Sequence, residues 1–207
     1  MLTIYGRTNS VNVQKVLWCL AELAVPYTRI DAGLEHGQNT EPWYLKLNPN
    51  GKVPLLVDGS FTLWESNTIV RYLAGKHGLG GLCPASLEAR ALAERWMDWQ
   101  LSTLVLPVSI VFWNLIRKPA GERDAVAIER NLREANRAMT LLDKHLESQP
   151  YVAGDAFTMG DIPVGARAHR WLEIPGMDRP RLAAVRAWRA RLAERAAFRN
   201  HVQLPLS

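Results

Sequence analysis

The first 80 residues alternate between short apolar runs and amphipathic stretches. Residues 2–5 form a short apolar run that predicts a strand. Apolar side chains then recur at helical spacing over residues 13–23, and residues 27–30 predict a second strand. The polar stretch 33–41 has no periodicity, so we expect a loop there.

A hairpin and a helix follow this loop. The apolar runs 53–57 and 60–63 flank the dipeptide Asp58-Gly59, which is a strong turn signal for two antiparallel strands. Apolar positions then predict an amphipathic helix from about Ser66 to the glycine cluster at 78–81. The predicted order is therefore β-α-β, loop, β-β-α.

Strand signals nearly vanish in the second half of the chain. Amphipathic patterns predict four helices there, at 86–117, 122–148, 159–172 and 180–196. Pro107 is expected to kink or break the first of them, because proline lacks the backbone N–H that a helix interior uses.

The change in pattern predicts two domains. The Gly- and Pro-rich stretch 78–84 is typical of a linker. We therefore expect an α/β domain over residues 1–80 and an all-helical domain over residues 86–207. The fold class is α/β plus all-α.

Composition and charge exclude several classes of protein. The chain has 207 residues, of which 48% are apolar and 22% are charged, as in ordinary globular proteins. We expect no membrane helix, because we find no uncharged apolar run of roughly 18 residues. No signal peptide is recognisable, so a cytoplasmic location is predicted. The net charge of +5 is compatible with an anionic ligand, but no basic run is long enough to indicate nucleic acid binding.

The two cysteines, Cys19 and Cys83, do not form a CxxC pair, and no Cys/His cluster supplies four metal ligands. We therefore expect neither a metal site nor a dithiol redox centre, and the missing CxxC argues against a thioredoxin-type oxidoreductase.

Two spaced motifs carry a resemblance to a known family. Residues 48–59 read NPNGKVPLLVDG and residues 63–73 read LWESNTIVRYL. This long, spaced signature resembles the cytosolic glutathione transferase family, and the start of the chain, residues 5–16, resembles its bacterial theta- and nu-like members. The resemblance implies a thioredoxin-like N-terminal domain, an all-helical C-terminal domain, glutathione as co-substrate and a homodimer.

The same resemblance implies a glutathione site. Pro54 resembles the cis-proline of thioredoxin-like folds, so the backbone of Val53 is expected to pair with the cysteinyl part of glutathione. Ser66, a good N-cap residue, and its helix terminus are expected to hold the γ-glutamyl carboxylate, with Glu65 facing the γ-glutamyl amine. Lys52 is the better candidate for the glycyl carboxylate, and the polar loop 35–40 supplies weaker ones.

The chemistry requires a donor that stabilises a thiolate. A thiol with a pKa of about 8.5 is only about 3% ionised at pH 7, and lowering that pKa by about two units takes roughly 2.7 kcal/mol. One hydrogen bond to a charged acceptor supplies about 1.5–3 kcal/mol. Ser10 and Asn12 precede the apolar stripe of the first helix and are the candidate catalytic donors; the sequence does not rank them. Tyr5 lies inside a strand and Cys19 lies two turns into the helix, so neither is expected to act.

The resemblance places the pocket for a small hydrophobic electrophile between the two domains. Several residues of the first C-terminal helix lie in the expected region, namely Trp99, Leu106, Ile110, Phe112, Trp113 and Arg117. Further along, Thr158 as N-cap and Asp161 at the third helical position form a capping-box variant. We expect that pair to support folding rather than chemistry.

The resemblance implies a glutathione transferase that directs the thiolate at a small electrophile, by conjugation or dehalogenation, in a detoxifying role. One alternative is a glutathione-dependent peroxidase or disulfide reductase, in which glutathione itself supplies the sulfur. Another is a non-catalytic interaction protein with the same fold. The presence of Ser10, Asn12 and the Glu65-Ser66 pair favours the enzyme.

Overall fold

A four-stranded mixed sheet forms the first part of the chain in the computed structural model, which describes residues 2–207. The strands are β1 (Leu2–Tyr5), β2 (Tyr27–Ile30), β3 (Leu55–Asp58) and β4 (Phe61–Trp64), in the order β2-β1-β3-β4. β1 is parallel to β2, whereas β3 is antiparallel to both β1 and β4. This confirms the predicted β-α-β and β-β-α halves.

Two helices pack against each other beside this sheet, namely α1 (Val11–Glu22) and α3 (Ser66–His77). Their apolar stripes are fully buried, as the helical spacing predicts. The short helix α2 (Pro42–Leu47), which the sequence did not predict, follows the loop. Within that loop, residues Leu34–His36 form a single 3-10 turn.

The hairpin differs from its prediction by one residue. Asp58 pairs with Phe61 at the end of the strands, so the two-residue turn is Gly59-Ser60 rather than Asp58-Gly59. Gly59 has a φ of 62°, which glycine adopts without the steric cost of a side chain. The turn position needs this positive φ, and the glycine therefore sets the register.

The second part of the chain is all-helical within the described residues. Its six α-helices are α4 (Leu87–Trp99), α5 (Val105–Phe112), α6 (Ala125–Leu146), α7 (Asp161–Glu173), α8 (Ala183–Ala193) and α9 (Ala196–His201). The first three predicted segments correspond to α4–α5, α6 and α7. The fourth predicted segment is α8, and α9 was not predicted separately.

The first of these segments does not break at Pro107. It runs as one continuous helix, Leu87–Arg117, in which the stretches Gln100–Leu104 and Trp113–Arg117 are π-helical. Pro107 lies three residues into α5, just after the first π-helical stretch, where the wider turn accommodates a residue without an N–H.

This helix also corrects the prediction that no segment is long enough to span a membrane. It has 31 residues and contains a window with mean hydropathy 1.5, so it passes by length and composition alone. Only 39% of that window is buried in the fold. Core helices of globular domains pass the same test, and this one packs against α6 and α7.

The two parts share one apolar core, because α1 packs against α7 and α9 as well as against α3. Trp18 is fully buried, and its ring lies 4.9 Å from that of Phe198. A Cβ at Gly165 of α7 would lie 2.8 Å from Leu192 and 3.1 Å from the Trp18 ring, so only glycine permits this close approach. α1 is thereby packed closely against α7.

Candidate functional site

Two adjoining cavities lie where the N-termini of α1 and α3 face the helical part. The smaller, here called the polar cavity, has a volume of about 80 Å³, and the larger, the arginine cavity, about 180 Å³. Asn12 lines both cavities, so they meet at its side chain. The polar cavity is lined by the predicted residues Asn12, Lys52, Val53, Pro54, Glu65 and Ser66. The arginine cavity is lined by Ser10 and Asn12 together with Arg7, Arg117, Arg167 and Arg170.

The backbone at Val53 is open for pairing. The Val53-Pro54 peptide bond is cis, as expected from the motif. Within residues 2–207 no hydrogen bond satisfies the Val53 backbone N–H or C=O, whereas the neighbouring Lys52 carbonyl accepts from Tyr44 and Asn48. An extended peptide laid beside Val53 would supply both missing partners, as an added strand does.

The start of α3 corrects one detail of the prediction. Glu65 occupies the N-cap position and Ser66 is the first helical residue, so Ser66 is not the N-cap. Glu65 has a φ of 70°, a left-handed conformation that is unfavourable for a glutamate and that persists mainly at functional sites. The Glu65 side chain makes no cap bond, the Ser66 side chain is buried, and the first N–H groups of α3 have no acceptor within the helix. This end of α3 suits a carboxylate.

A buried lysine that sequence reasoning missed lies directly behind Ser66. Lys15 of α1 is fully buried, and its Nζ lies 3.4 Å from Ser66 Oγ, 3.1 Å from Asn67 Oδ1 and 3.3 Å from Gln100 Oε1. Burial lowers the pKa of Lys15, and the nearby Arg167 lowers it further. Because Nζ donates to Ser66 Oγ, the serine hydroxyl proton is free to point toward the cavity. The only sequence signal was a lysine inside an otherwise apolar helical stripe.

The candidate thiol donors stand at the start of α1. Ser10 is the N-cap residue by backbone geometry, but its side chain makes no capping bond. The alternative that its hydroxyl merely caps the helix is therefore not realised. Asn12 is half-buried, and neither side chain hydrogen-bonds to another group among residues 2–207. Both are available to a ligand.

The other two thiol-donor candidates are occupied elsewhere, as expected. Tyr5 packs against Trp43 and Tyr44, with ring centroids 5.3 and 6.3 Å apart. Cys19 is fully buried, its Sγ faces the Val70 carbonyl, and burial raises the pKa of its thiol. Neither residue lines either cavity.

The polar loop 35–40 hydrogen-bonds to neighbouring backbone carbonyls and lines neither cavity. Gln38 Nε2 donates to the Asp31 carbonyl at 2.9 Å and Asn39 Nδ2 donates to the Gly51 carbonyl at 2.6 Å. His36 lies 3.4 Å from Glu35. Of the residues named for the glycyl carboxylate, only Lys52 faces the polar cavity.

The arginine cavity brings together four arginines from three separate parts of the chain. Arg7 follows β1, Arg117 ends the helix that begins at Leu87, and Arg167 and Arg170 lie one turn apart on α7. Burial lowers the pKa of Arg167 to about 10. Burial and the repulsion of the other three arginines lower the pKa of Arg170 to about 9.

Three of the six residues named for an electrophile pocket line this cavity, namely Phe112, Trp113 and Arg117. Trp99 lines a different surface groove, between α4 and α6, whereas Leu106 and Ile110 line neither. The sequence missed Arg167 and Arg170. Their signal was two arginines three residues apart in a helix whose first half, from Ile162 to Ala166, is small and apolar.

The two hydrogen bonds of the predicted capping box are present. Thr158 Oγ1 accepts from Gly160 N at 3.3 Å, and the Asp161 carboxylate accepts from Thr158 N at 3.0 Å. The helix itself begins later than predicted, at Asp161 with Gly160 as its N-cap. The Asp161 carboxylate accepts four hydrogen bonds in all, from Val152 N, from Thr158 N and Oγ1, and from Trp188 Nε1. Its role remains structural, because it lines neither cavity.

Comparison with known proteins identifies the family. The glutathione S-transferase N-terminal domain model matches residues 1–75, and the C-terminal domain model matches residues 97–196. The chain is 41% identical to glutathione S-transferase GstB of Escherichia coli, over the full length of both proteins. It is 32% identical to glutathione S-transferase 3 of Zea mays, covering 97% of this chain and 93% of that protein.

A solved structure agrees with these sequence relatives. The theta class glutathione S-transferase of Xanthomonas axonopodis pv. citri, with glutathione bound, superposes with a TM-score of 0.96 at 45% identity, covering 100% of this chain and 99% of that one. The chain belongs to the glutathione S-transferase family. Its α/β part is the thioredoxin-like half of that fold, and its all-helical part is the C-terminal half.

Proposed function

We propose that this chain is a glutathione transferase that binds glutathione in the polar cavity and ionises its thiol at Ser10 and Asn12. The thiolate then attacks a small electrophile held in the arginine cavity, by conjugation or dehalogenation. In this proposal residues 1–80 are the glutathione-binding domain and residues 86–207 carry the electrophile pocket. The observation that carries it is the shared position of Asn12, which brings a peptide-binding cavity and a second cavity together at the start of a helix.

In this proposal glutathione lies across the mouth of the polar cavity and enters it only in part, since about 80 Å³ is too small for a whole tripeptide. The unpaired backbone of Val53 takes its cysteinyl unit, and Ser66 with the α3 N-terminus takes the γ-glutamyl carboxylate. Glu65 faces the γ-glutamyl amine and Lys52 faces the glycyl carboxylate. Each charged end of the tripeptide thus meets a group of opposite charge or a free N–H.

The sulfur of a ligand held at Val53 would lie near Asn12, where the two cavities meet. The hydroxyl of Ser10 and the amide of Asn12 are both unengaged donors, and the α1 N-terminus adds a favourable dipole. One such bond to a thiolate contributes about 1.5–3 kcal/mol, enough to lower the thiol pKa by one to two units. No deprotonated side chain is required.

We also propose a homodimer, a cytoplasmic location and a role in detoxification. The exposed apolar groove between α4 and α6, lined by Trp96, Trp99 and Leu141, supports a subunit contact. Sedimentation velocity tests this point: a single species of monomer mass at micromolar concentration would contradict it.

Calorimetric titration with glutathione tests the site, with two serine variants as a matched pair. Ser66→Ala removes a hydroxyl from the polar cavity, and we expect a dissociation constant about tenfold higher. Ser86→Ala removes a serine that caps α4, where Oγ accepts from Ala89 N at 3.1 Å, away from both cavities. The control is expected to lose about 1 kcal/mol of stability and no affinity. Equal affinities for all three proteins, or no binding, would contradict the proposal.

Turnover tests the chemistry. We expect the wild type to accelerate the alkylation of glutathione by iodoacetamide above the uncatalysed rate, and Ser10→Ala or Asn12→Ala to lose about tenfold or more of that acceleration. Glutathione binding without any acceleration would favour a non-catalytic protein with this fold.

A further inference from the structure

The arginine cavity contains more positive charge than the thiolate alone requires. We propose that the electrophile of this enzyme is a small anion, with a carboxylate beside its reactive carbon, held by Arg7, Arg117 and Arg170. This inference rests on the proposed function and names its substrate class. It differs from the small hydrophobic electrophile that the family resemblance implies.

The first argument is the missing counter-charge. Within residues 2–207 none of the four arginines of the cavity forms an ion pair with an aspartate or glutamate, although Arg29, Arg71, Arg90, Arg133, Arg189 and Arg195 all do so elsewhere. Of the four, Arg7 is attracted by an acidic residue, Glu35. Burial and Arg117 together lower the Arg7 pKa by more than Glu35 raises it. Arg167 and Arg170 are buried, and buried charges without a partner are costly and are retained mainly where they act on a ligand.

The second argument is the unused hydrogen-bonding capacity. In all four arginines the Nε atom is buried and has no partner. Arg167 donates to Ser109 Oγ, Arg170 to the Asn9 carbonyl and Arg117 to the main-chain O atom of Ser207, one bond each. Since a guanidinium carries five N–H donors in a planar fork that matches a carboxylate, most of the donors here await an acceptor.

The third argument is the shape of the cavity. Its 180 Å³ corresponds to about six water molecules at about 30 Å³ each, so it suits a molecule of a few heavy atoms. The Arg170 guanidinium lies 4.2 Å from the Phe112 ring centroid and that of Arg117 lies 5.0 Å from the Trp113 centroid. These rings hold the cations in place and form an apolar wall for the carbon chain of the ligand.

Iodoacetate is a suitable probe, and iodoacetamide is its neutral counterpart with the same leaving group. In both, the glutathione sulfur attacks the methylene carbon, the C–S bond forms as the C–I bond breaks, and iodide leaves with the bonding electrons. The thiol proton passes to solvent. The protein's own thiols, Cys19 and Cys83, are fully buried, and mass spectrometry verifies that neither is alkylated.

The experiment measures kcat/KM for each reagent at saturating glutathione, divided by its uncatalysed rate constant. We expect the wild type to favour iodoacetate over iodoacetamide by about tenfold or more, and Arg117→Gln to lower that ratio about tenfold, the effect of one bond between charged groups. Arg7→Gln, which does not involve the Ser207 contact, is expected to lower the ratio in the same direction. The control Arg133→Gln removes an exposed arginine of α6 and is expected to leave the ratio unchanged.

Three results are decisive. A wild-type ratio near one overturns the proposal. So does an equal loss for both reagents in Arg117→Gln and Arg7→Gln, because the cluster would then act on the thiolate alone; the proposed function survives in both cases. Failure to accelerate either reagent overturns the proposed function itself, and with it this inference.

Discussion

The polar cavity and the arginine cavity share Asn12 but are built in opposite ways. The polar cavity draws almost all of its residues from one stretch, residues 48–66, and carries both signs of charge. The arginine cavity gathers four cations from three distant points of the chain and has no acidic residue in its lining. Under the proposed function, recognition of glutathione is therefore encoded locally, whereas recognition of the second substrate depends on how the two parts of the chain pack.

The largest expected effect is a loss of stability at the helix that lines the arginine cavity, with no loss of glutathione binding at the polar cavity. Asp161→Ala leaves four buried donors without an acceptor at the start of α7, the helix that carries Arg167 and Arg170. We expect a loss of about 4 kcal/mol in the free energy of unfolding, measured with urea. Glutathione affinity per folded molecule is expected to stay unchanged. A higher dissociation constant with normal stability would show that α7 belongs to the glutathione site.

The next largest effect is the pH dependence of stability that comes from His169, which also lies on α7. His169 is buried, accepts from Arg189 Nε at 3.1 Å, and has a pKa lowered to about 4 by burial and by Arg189 and Arg170. The folded state therefore favours the neutral ring, so this contribution to stability is complete above about pH 6.5 and is lost as pH falls toward 4, by about 3 kcal/mol in total. Urea unfolding between pH 7.5 and 4 measures it.

A matched pair of histidine variants isolates this contribution. His169→Gln is expected to flatten the acid limb of the stability curve, whereas His77→Gln, at an exposed position at the end of α3, is expected to leave it unchanged. Identical curves for the wild type and both variants would refute the assignment.

Lys15 tests the comparison from the other side, because its Nζ hydrogen-bonds to Ser66 of the polar cavity and to no residue that lines the arginine cavity. Lys15→Met removes the donor that leaves the Ser66 hydroxyl proton free for the ligand. We expect glutathione affinity to fall about tenfold, with the ratio of iodoacetate to iodoacetamide turnover unchanged. A change in that ratio would mean that the two cavities do not act separately.

The smallest effect tests the glycyl end of glutathione. Lys52 is exposed, so Lys52→Ala is expected to weaken glutathione binding only about twofold to fivefold, as for a solvent-exposed ion pair. His36→Ala, in the loop that braces Asp31, is expected to leave affinity within the error of calorimetry. The reverse order of effects would move the glycyl subsite to the loop.

The fold followed from the sequence wherever an element was long and periodic. α1, α3 and α6 were predicted with small errors at their ends, because their buried stripes are read directly from residue spacing. The short helices α2 and α9 have too few turns for a periodic signal, and they were missed. The 18-residue apolar window was missed because it includes uncharged polar residues such as Gln100 and Ser109.

The site residues show the same contrast between those that the sequence predicted and those that it missed. The motif residues from Lys52 to Ser66 were predicted and line one cavity, because their relative positions depend on a hairpin and a helix start that are local in sequence. Arg167 and Arg170 were not predicted, since arginines on a helix are ordinarily solvated. Their burial results from α7 packing against α1 and α5, which no local pattern encodes.

The most direct test of the central claim is the titration of enzyme-bound glutathione, followed by the ultraviolet absorbance of its thiolate. Ligand-free protein is subtracted as the control. We expect the bound thiol of the wild type to titrate about two pKa units below the ordinary value of about 8.5, and Ser10→Ala or Asn12→Ala to restore at least about one unit. Glutathione that binds the wild type but keeps its ordinary pKa would contradict the account.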